Sequence, residues 1–248
     1  MFDYWYFFYY YLVLWVIFGW VCSIYTHRGV CHRVIECSPA IVNFSRFLTW
    51  FVGSHYAGWQ KIWAATHRKH HIYADTESDP HSPHIWGIKI LLPSSGQLGE
   101  PYHITPQDMT KYAPDIETPN DWVEHHVFNK LQGKYFYHAV NLILFGPIGT
   151  ILGFLLLWPI SNWIVIHAYI SHKFGIHYEK NLLPNDRSIN LFPIGIIFAG
   201  EDLAANHHNN PRLAKLSKRW YEFDSGWCVI KILSFLRLVK ITGTTEKI

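Results

Sequence analysis

Residues 4–32 read YWYFFYYYLVLWVIFGWVCSIYTHRGVCH, and this stretch decides the fold class. No Asp, Glu, Lys or Arg occurs between residues 4 and 26. A helix of about 20 apolar residues crosses a bilayer core of about 30 Å. A cleaved signal peptide would begin with basic residues and end at an A-x-A-like site, whereas the early charge here is Asp3 and no such site follows. We therefore predict a retained transmembrane helix at 4–26.

The second strongly apolar region is residues 135–172, and its length suits a helical hairpin that crosses the membrane and returns. Helix breakers offer a turn either at 146–149 or at 158–161, and the sequence does not choose between them. Basic residues follow the first helix, starting with Arg28, and an excess of Lys and Arg marks the cytoplasmic side. We therefore expect an outward amino terminus and a chain that enters the cytoplasm at His27.

The remaining segments complete one all-α, integral membrane domain over 1–248, with about three to four transmembrane helices plus interfacial helices. Residues 40–59 are apolar but interrupted by Arg46, so this segment either spans the membrane or lies in its interface. Residues 72–134 are polar and rich in proline, and we predict a cytoplasmic region of loops and short helices. Residues 173–248 are predicted to carry the last histidine cluster and a cytoplasmic tail.

Charge and cysteine content exclude several classes of function. The net charge of +3 is too small to imply binding of nucleic acid. The four cysteines form no C-x-x-C pair, so neither a zinc ribbon nor a rubredoxin-like site is indicated, and we interpret them as reduced, packed thiols. Histidine is the outlier, with 17 among 248 residues.

The histidines form three clusters beside hydrophobic segments, and one more ends the apolar hairpin. They are His27 and His32; His67, His70 and His71; His207 and His208; and the single His172. Positions i, i+3 and i+4 of a helix share a face, so the second cluster can point at a common locus. The five-residue spacing of the first cluster turns its side chains roughly 140° apart in an α-helix, so that one histidine can serve each of two metals.

Metal binding is the prediction that these clusters favour, because polar groups at membrane depth are costly and usually functional. A pH-sensing or proton-relay cluster is the alternative, since histidine titrates near neutral pH. Imidazole suits zinc, copper, iron and nickel alike, and eight histidines exceed the about four ligands of one tetrahedral zinc ion. Two metals are therefore indicated. A shared site needs every cluster on one side of the membrane, which favours an interfacial 40–59 segment and three spanning helices.

The H-x4-H, H-x2-H-H and terminal H-H boxes resemble those of the membrane fatty acid desaturases, acyl-CoA and acyl-lipid, and are most similar to the compact bacterial type. The similarity covers nearly the whole chain. It extends to ADTESDPHSP at 74–83, SHKFG at 171–175, NHH at 206–208 and WYEFDSGW at 220–227. Two positions depart from the family pattern. Ala204 stands where the third box has its first histidine, and Ala168 stands where an asparagine often holds an iron-bound water.

The resemblance implies two iron ions, with the eight clustered histidines as metal ligands and catalytic residues: His27, His32, His67, His70, His71, His172, His207 and His208. It also implies an oxygen-dependent oxidoreductase of the membrane, which inserts a cis double bond, most often at C9, into an acyl-CoA or acyl-lipid. An apolar tunnel would set the position of the bond. No HPGG-type heme motif or G-x-G-x-x-G is present, so an external donor such as a ferredoxin is implied.

Polar residues near the boxes are candidate partners of the ligands, with ordinary caps and turns as the alternative: Glu201, Asn206, Asp75 and Asp79. Water, Glu201, His167 or His177 can replace the ligand that Ala204 lacks. A membrane fatty acid or alkane hydroxylase with the same boxes is the alternative activity. A catalytically impaired metal-binding homologue is the alternative that Ala204 favours.

Overall fold

The computed structural model describes residues 3–52, 58–91, 104–117, 119–174, 180–191 and 197–243. Within these ranges the protein is built almost wholly of helices, as the all-α prediction requires. The α-helices are α1 (Tyr4–Trp20), α2 (Pro39–Phe51), α3 (Trp59–Tyr73), α4 (Pro106–Tyr112), α5 (Gly133–Ser161), α6 (Trp163–Lys173), α7 (Ala204–Asn209) and α8 (Ser225–Phe235). One small antiparallel sheet pairs β1 (Ile35–Cys37) with β2 (Val239–Ile241).

The first helix changes its winding before it reaches the first histidines. Asp3 caps α1 by accepting hydrogen bonds from the amides of Trp5 and Tyr6. From Val21 to Cys31 the helix continues as a π-helix, in which each amide pairs with the carbonyl five residues before it. The amide of His32 donates to the carbonyl of His27 at 3.0 Å, so the two histidines lie one π-turn apart.

Helix α2 presents apolar side chains outward and buries polar ones. Phe44 and Phe47 are half exposed, whereas Ser45, Arg46 and Thr49 are buried. This polarity is the reverse of a helix that faces water, and it suits a lipid interface. The predicted interfacial segment 40–59 thus corresponds to α2 and the start of α3, with residues 53–57 outside the described part of the chain.

Arg46 joins α2 to the short π-helix at Glu124–Phe128. Its guanidinium donates to Asp121 at 2.5 and 2.9 Å and to the fully buried Glu124 at 3.1 Å. Asp121 is half exposed and well screened by solvent. The buried contact with Glu124 therefore dominates the energetics of this network.

Arg46→Ala should destabilise the fold by about 3–5 kcal/mol, because it leaves a buried carboxylate facing a second acid. Thermal and denaturant unfolding in mild detergent measure this loss. The matched control is Arg33→Ala, since Arg33 is more than half exposed and pairs with Asp115 at the surface. That change should cost about 1 kcal/mol or less. Equal losses in the two variants would show that burial of the pair does not matter.

Helix α5 reverses direction at Gly146, where φ is +66° and ψ is −167°. The hydroxyl of Tyr137 donates to the carbonyl of Gly153 at 2.9 Å. In a straight helix those residues would lie about 24 Å apart, so the chain must fold back between them. The positive φ suits glycine, and Pro147 follows directly. Of the two turns that the sequence allowed, the reversal occurs at 146–149.

Among the described residues, two helical stretches are long and apolar enough to cross a membrane, Tyr4–Cys31 and Gly133–Ser161, and the second folds back at Gly146. Side chains along the outer face of α5 are large, apolar and exposed, among them Ile143, Ile151 and Phe154. Contiguous apolar surface of this kind is rare in water and marks contact with lipid or another protein. The number of crossings and the division into membrane and cytoplasmic segments remain predictions.

Close packing of α1 against α6 fixes where the histidine-bearing helix ends meet. Trp163 is 1% exposed and lies against α1 beside the buried Phe18 and Gly19. A Cβ at Gly19 would lie 2.9 Å from the Trp163 ring, so glycine permits this approach. The described parts of 72–134 contribute turns, a 3-10 helix at Gly87–Leu91 and α4, which packs on α3.

Candidate metal centre

The imidazoles of all eight predicted histidines gather in two adjoining groups. Within each group the candidate donor nitrogens all lie within 4.8 Å of one another. The larger cluster consists of His27, His32, His67, His71 and His207. The smaller cluster consists of His70, His172 and His208. Residues from the end of the π-helix that continues α1, and from α3, α6 and α7, thus meet at one place, as a shared site requires. Their role as ligands stays a prediction.

The spacing of donor atoms in the larger cluster fits a single ion. Nε2 of His207 lies 2.9 Å from Nε2 of His27 and 3.0 Å from Nε2 of His71. Nε2 of His67 lies 2.8 Å from that of His32 and 3.0 Å from that of His71. Donors that bind one ion at about 2.1 Å and at right angles stand about 3 Å apart. The residues present therefore fit a metal.

The first histidine pair does not divide between two metals, so that prediction was wrong. His27 and His32 both belong to the larger cluster. The prediction assumed α-helical winding, in which five residues turn through much more than one full circle. In the π-helix the same five residues complete about one turn, and both rings face the same locus.

The second box also behaves differently from the prediction of one common locus. His67 and His71, four residues apart on α3, enter the larger cluster, whereas His70 enters the smaller one. His207 enters the larger cluster and His208 the smaller one, because the side chains of successive helical residues point about 100° apart. Helix α3 and helix α7 therefore both serve two sites.

Each histidine of the smaller cluster has a carboxylate behind it. Nδ1 of His70 lies 2.7 Å from Asp79, Nδ1 of His172 lies 2.8 Å from Asp75, and Nδ1 of His208 lies 2.8 Å from Asp186. A hydrogen bond from Nδ1–H to a carboxylate fixes the tautomer and leaves the Nε2 lone pair for a metal. In the larger cluster a carboxylate oxygen of Glu201 lies 2.7 Å from Nδ1 of His27.

The electrostatics of the site favour the neutral form of four imidazoles in the larger cluster and the ionised form of the nearby Glu201. Burial, followed by the neighbouring imidazoles, lowers the pKa values of four histidines of the larger cluster well below the usual value: His32, His67, His71 and His207. Burial opposes ionisation of Glu201, but His27 and Arg28 outweigh it and lower the pKa to about 2. Neutral imidazoles beside ionised carboxylates are the state in which histidine binds a metal.

Glu201 is itself held by a buried network. The hydroxyl of Ser23 donates to Glu201 at 2.5 Å. Arg28 donates to Asp224 at 3.0 Å and lies 3.8 Å from Glu201. Of the other predicted partners, Asp75 and Asp79 contact ligand histidines, whereas Asn206 does not. Its amide donates to Glu222 at 2.8 Å, so it anchors α7.

Sequence reasoning missed two residues of the site. Asp186 lies in a loop far from the boxes, and nothing in its neighbourhood signalled a role. His81 lies in the stretch that follows the second box, and its ring centroid is 4.2 Å from that of His70. His84 donates through Nε2 to the carbonyl of His172 at 2.7 Å. His55, His103 and His177 lie outside the described residues.

A small cavity of about 40 Å³ adjoins both clusters. The two positions that depart from the family pattern, Ala168 and Ala204, both line it, and so does His167. Its walls also include Cys22 on the π-helix and Trp163 on α6. Among the candidates to replace the missing ligand, Glu201 is engaged with His27, and His167 faces the cavity.

These features define a helical protein with histidine groups that can hold metal, beside long apolar helices. No family model matches the chain. Curated relatives do: an acyl-CoA C20 Delta5-desaturase of Anemone leveillei is 26% identical over 93% of this chain and 72% of its own length. An sn-1 stearoyl-lipid 9-desaturase of Anabaena variabilis is 29% identical, over 95% and 83% respectively. An sn-2 palmitoyl-lipid 9-desaturase of Nostoc is 31% identical, over 72% and 62%.

Over most of its length the chain is similar to membrane fatty acid desaturases, acyl-CoA and acyl-lipid. The resemblance inferred from the histidine boxes is thereby confirmed, and with it the class of enzyme, an oxidoreductase. The histidine groups of the structure fit the metal centre that this class needs.

Proposed function

We propose that the protein is an oxygen-dependent fatty acyl desaturase, with two iron ions held by the larger and smaller clusters. The observation that carries this proposal is the convergence of eight imidazoles from four helices into two groups of donors. The family and the nitrogen-rich donor set both agree with iron, which imidazole binds readily.

The reaction removes two hydrogens from adjacent methylenes and leaves a cis double bond. Such hydrogens have no useful acidity, so a positioned acid or base cannot remove them. When bound, the two ions would supply the oxidation by O2, with two electrons and two protons from outside and two waters as the other product. The chain's own contribution is orientation. Asp75, Asp79 and Asp186 hold the rings of the smaller cluster, and Glu201 holds His27.

The acyl chain is proposed to approach through the cavity that the π-helix and α6 line. Cys22, Trp163 and Ile164 give that passage apolar walls next to the histidines. The Anabaena and Nostoc relatives are named 9-desaturases and the Anemone relative a Delta5-desaturase. We propose that the double bond is placed at C9 of an acyl-CoA or acyl-lipid. A double bond found at C5 would show that this position is wrong.

The protein is proposed to be multi-pass, with the metal centre on the cytoplasmic side. Arg28 and the basic residues after it support this side, and the outward phenylalanines of α2 support an interfacial rather than spanning segment. A soluble donor such as a ferredoxin would reach the centre from the cytoplasm.

Expression in a host that makes saturated acyl lipids tests the function directly. Gas chromatography with mass spectrometry should find new cis-monounsaturated chains, and the double variant His32→Ala, His70→Ala should give none at equal membrane abundance. A hydroxylase would instead add an oxygen atom to the chain. Lipids unchanged by wild-type protein that is present in the membrane would contradict the proposal.

Ala204→His tests the alternative that the enzyme is impaired. Ala204 lines the cavity beside His207 and His208. Loss of an outer partner of a ligand typically costs about 10–100-fold in affinity or activity. Restoring a direct donor should therefore raise iron affinity at the smaller cluster at least about 10-fold, with a higher product yield. Ala205→His, on the same helix, is the control. No gain in Ala204→His would mean that position 204 does not limit metal binding.

A further inference from the structure

The two clusters are unequal in the number of side chains that they offer. The larger has five imidazoles and the smaller three. Where the smaller cluster meets the cavity, Ala168 and Ala204 present only methyl groups. An ion held there by three nitrogens has open coordination positions facing the cavity.

His167 presents a buried nitrogen to this same cavity. It precedes Ala168 on α6, is 9% exposed, and stacks on Trp163 with ring centroids 6.1 Å apart. The backbone of Glu201 lies near its ring. Among the described residues, Nε2 of His167 has no hydrogen-bond partner. Leaving such a group unsatisfied costs about 1–3 kcal/mol, so a polar partner in the cavity is expected.

The geometry favours a partner between His167 and the ion rather than direct ligation. Within the described ranges, His167 belongs to neither group of donors that lie within 4.8 Å of one another. A water needs about 10–15 Å³, and the cavity of about 40 Å³ has room for one. A water there can donate a hydrogen bond to Nε2 while its oxygen faces the smaller cluster.

We propose that His167 holds, through Nε2, a water that fills an open position of the ion at the smaller cluster, in place of the side chain that Ala204 lacks. His167 is then a positioning residue for a metal-bound water. The inference rests on the proposed metal centre and goes beyond it, because it assigns a role to a histidine outside the boxes.

Titration of purified apoprotein with Co²⁺ tests the proposal, since cobalt absorption reports coordination as well as stoichiometry. His167→Phe keeps a ring against Trp163 but removes the nitrogens. It should weaken cobalt binding at the smaller cluster about 10–100-fold and change the visible spectrum of that site. His167→Gln, which restores an acceptor, should recover part of the affinity. His138→Phe is the matched control, a histidine of α5 that does not line this cavity.

The outcomes separate this inference from the proposed function. Wild-type protein that takes up no cobalt at either cluster would overturn both. Two bound ions in wild type, together with an unchanged affinity and spectrum in His167→Phe, would overturn the role of His167 alone. Combining His167→Phe with Ala204→His adds a second test. The His167 substitution should cost less when position 204 supplies a ligand, whereas a merely structural role would give the same loss in both backgrounds.

Discussion

His207→Ala should empty the larger cluster of metal and reduce desaturation at least about 100-fold, given that loss of an outer partner alone costs about 10–100-fold. Nε2 of His207 lies within 3.0 Å of donors on two other helices, His27 on the π-helix and His71 on α3. The substitution therefore removes a donor nitrogen that lies between those of the other two helices. Iron content of the purified protein and the double-bond content of host lipids measure the two effects.

His138→Ala is the control for that experiment. His138 lies on α5 and packs against Phe154 with ring centroids 5.7 Å apart, away from both clusters. Its loss should leave iron content unchanged. If His207→Ala kept its iron and its product yield, the larger cluster would not be a functional metal site.

Asp79→Asn should weaken metal binding at the smaller cluster about 10–100-fold while leaving the larger cluster loaded. Asp79 is wholly buried and receives three hydrogen bonds, from Nδ1 of His70 at 2.7 Å and from the amides of Asp75 and His81 at 2.8 and 2.9 Å. Burial alone would raise the pKa of Asp79, but the charge and hydrogen bond of His70 outweigh it and hold that pKa below its usual value. An amide keeps the shape but loses the charge that orients and polarises His70.

Asp108→Asn supplies the comparison for Asp79. Asp108 caps α4 through Thr105 and pairs with Lys69 at 3.1 Å, away from the ligands. Cobalt affinity should be that of wild type in this variant, and melting curves of both proteins should show that each is folded. If Asp79→Asn and Asp108→Asn bound cobalt with equal affinity, the Asp79 carboxylate would have no role in metal binding at the smaller cluster.

Much of the fold follows from residue pattern because hydrophobic runs and histidine spacing are local signals. The apolar run at 4–26 predicts α1, and Arg46 within an apolar segment predicts an interfacial helix, an orientation that the outward phenylalanines of α2 would suit. The eight histidines could be chosen because each adjoins an apolar segment. The reversal at Gly146 could only be predicted as one of two possible turns, since a proline occurs in both 146–149 and 158–161.

The division of ligands between the two clusters could not be predicted, because it depends on helix winding and tertiary packing. The sequence of residues 21–31 contains no pattern that predicts a π-helix. That winding nevertheless places His27 and His32 in one cluster. Asp186 reaches His208 from a separate loop, a long-range contact with no local pattern. His167 lies outside the histidine boxes, and the role proposed for it depends on a cavity. That cavity is lined by Ala168 and Ala204, which are far apart in the sequence.

An iron count on the purified wild-type protein tests the central claim most directly. Two donor groups of five and three histidines predict two iron ions per chain, with the ion of the smaller cluster released first by a chelator. Less than one ion per chain after loading with ferrous iron under anaerobic conditions would contradict the account, as would two ions lost together at the same chelator concentration.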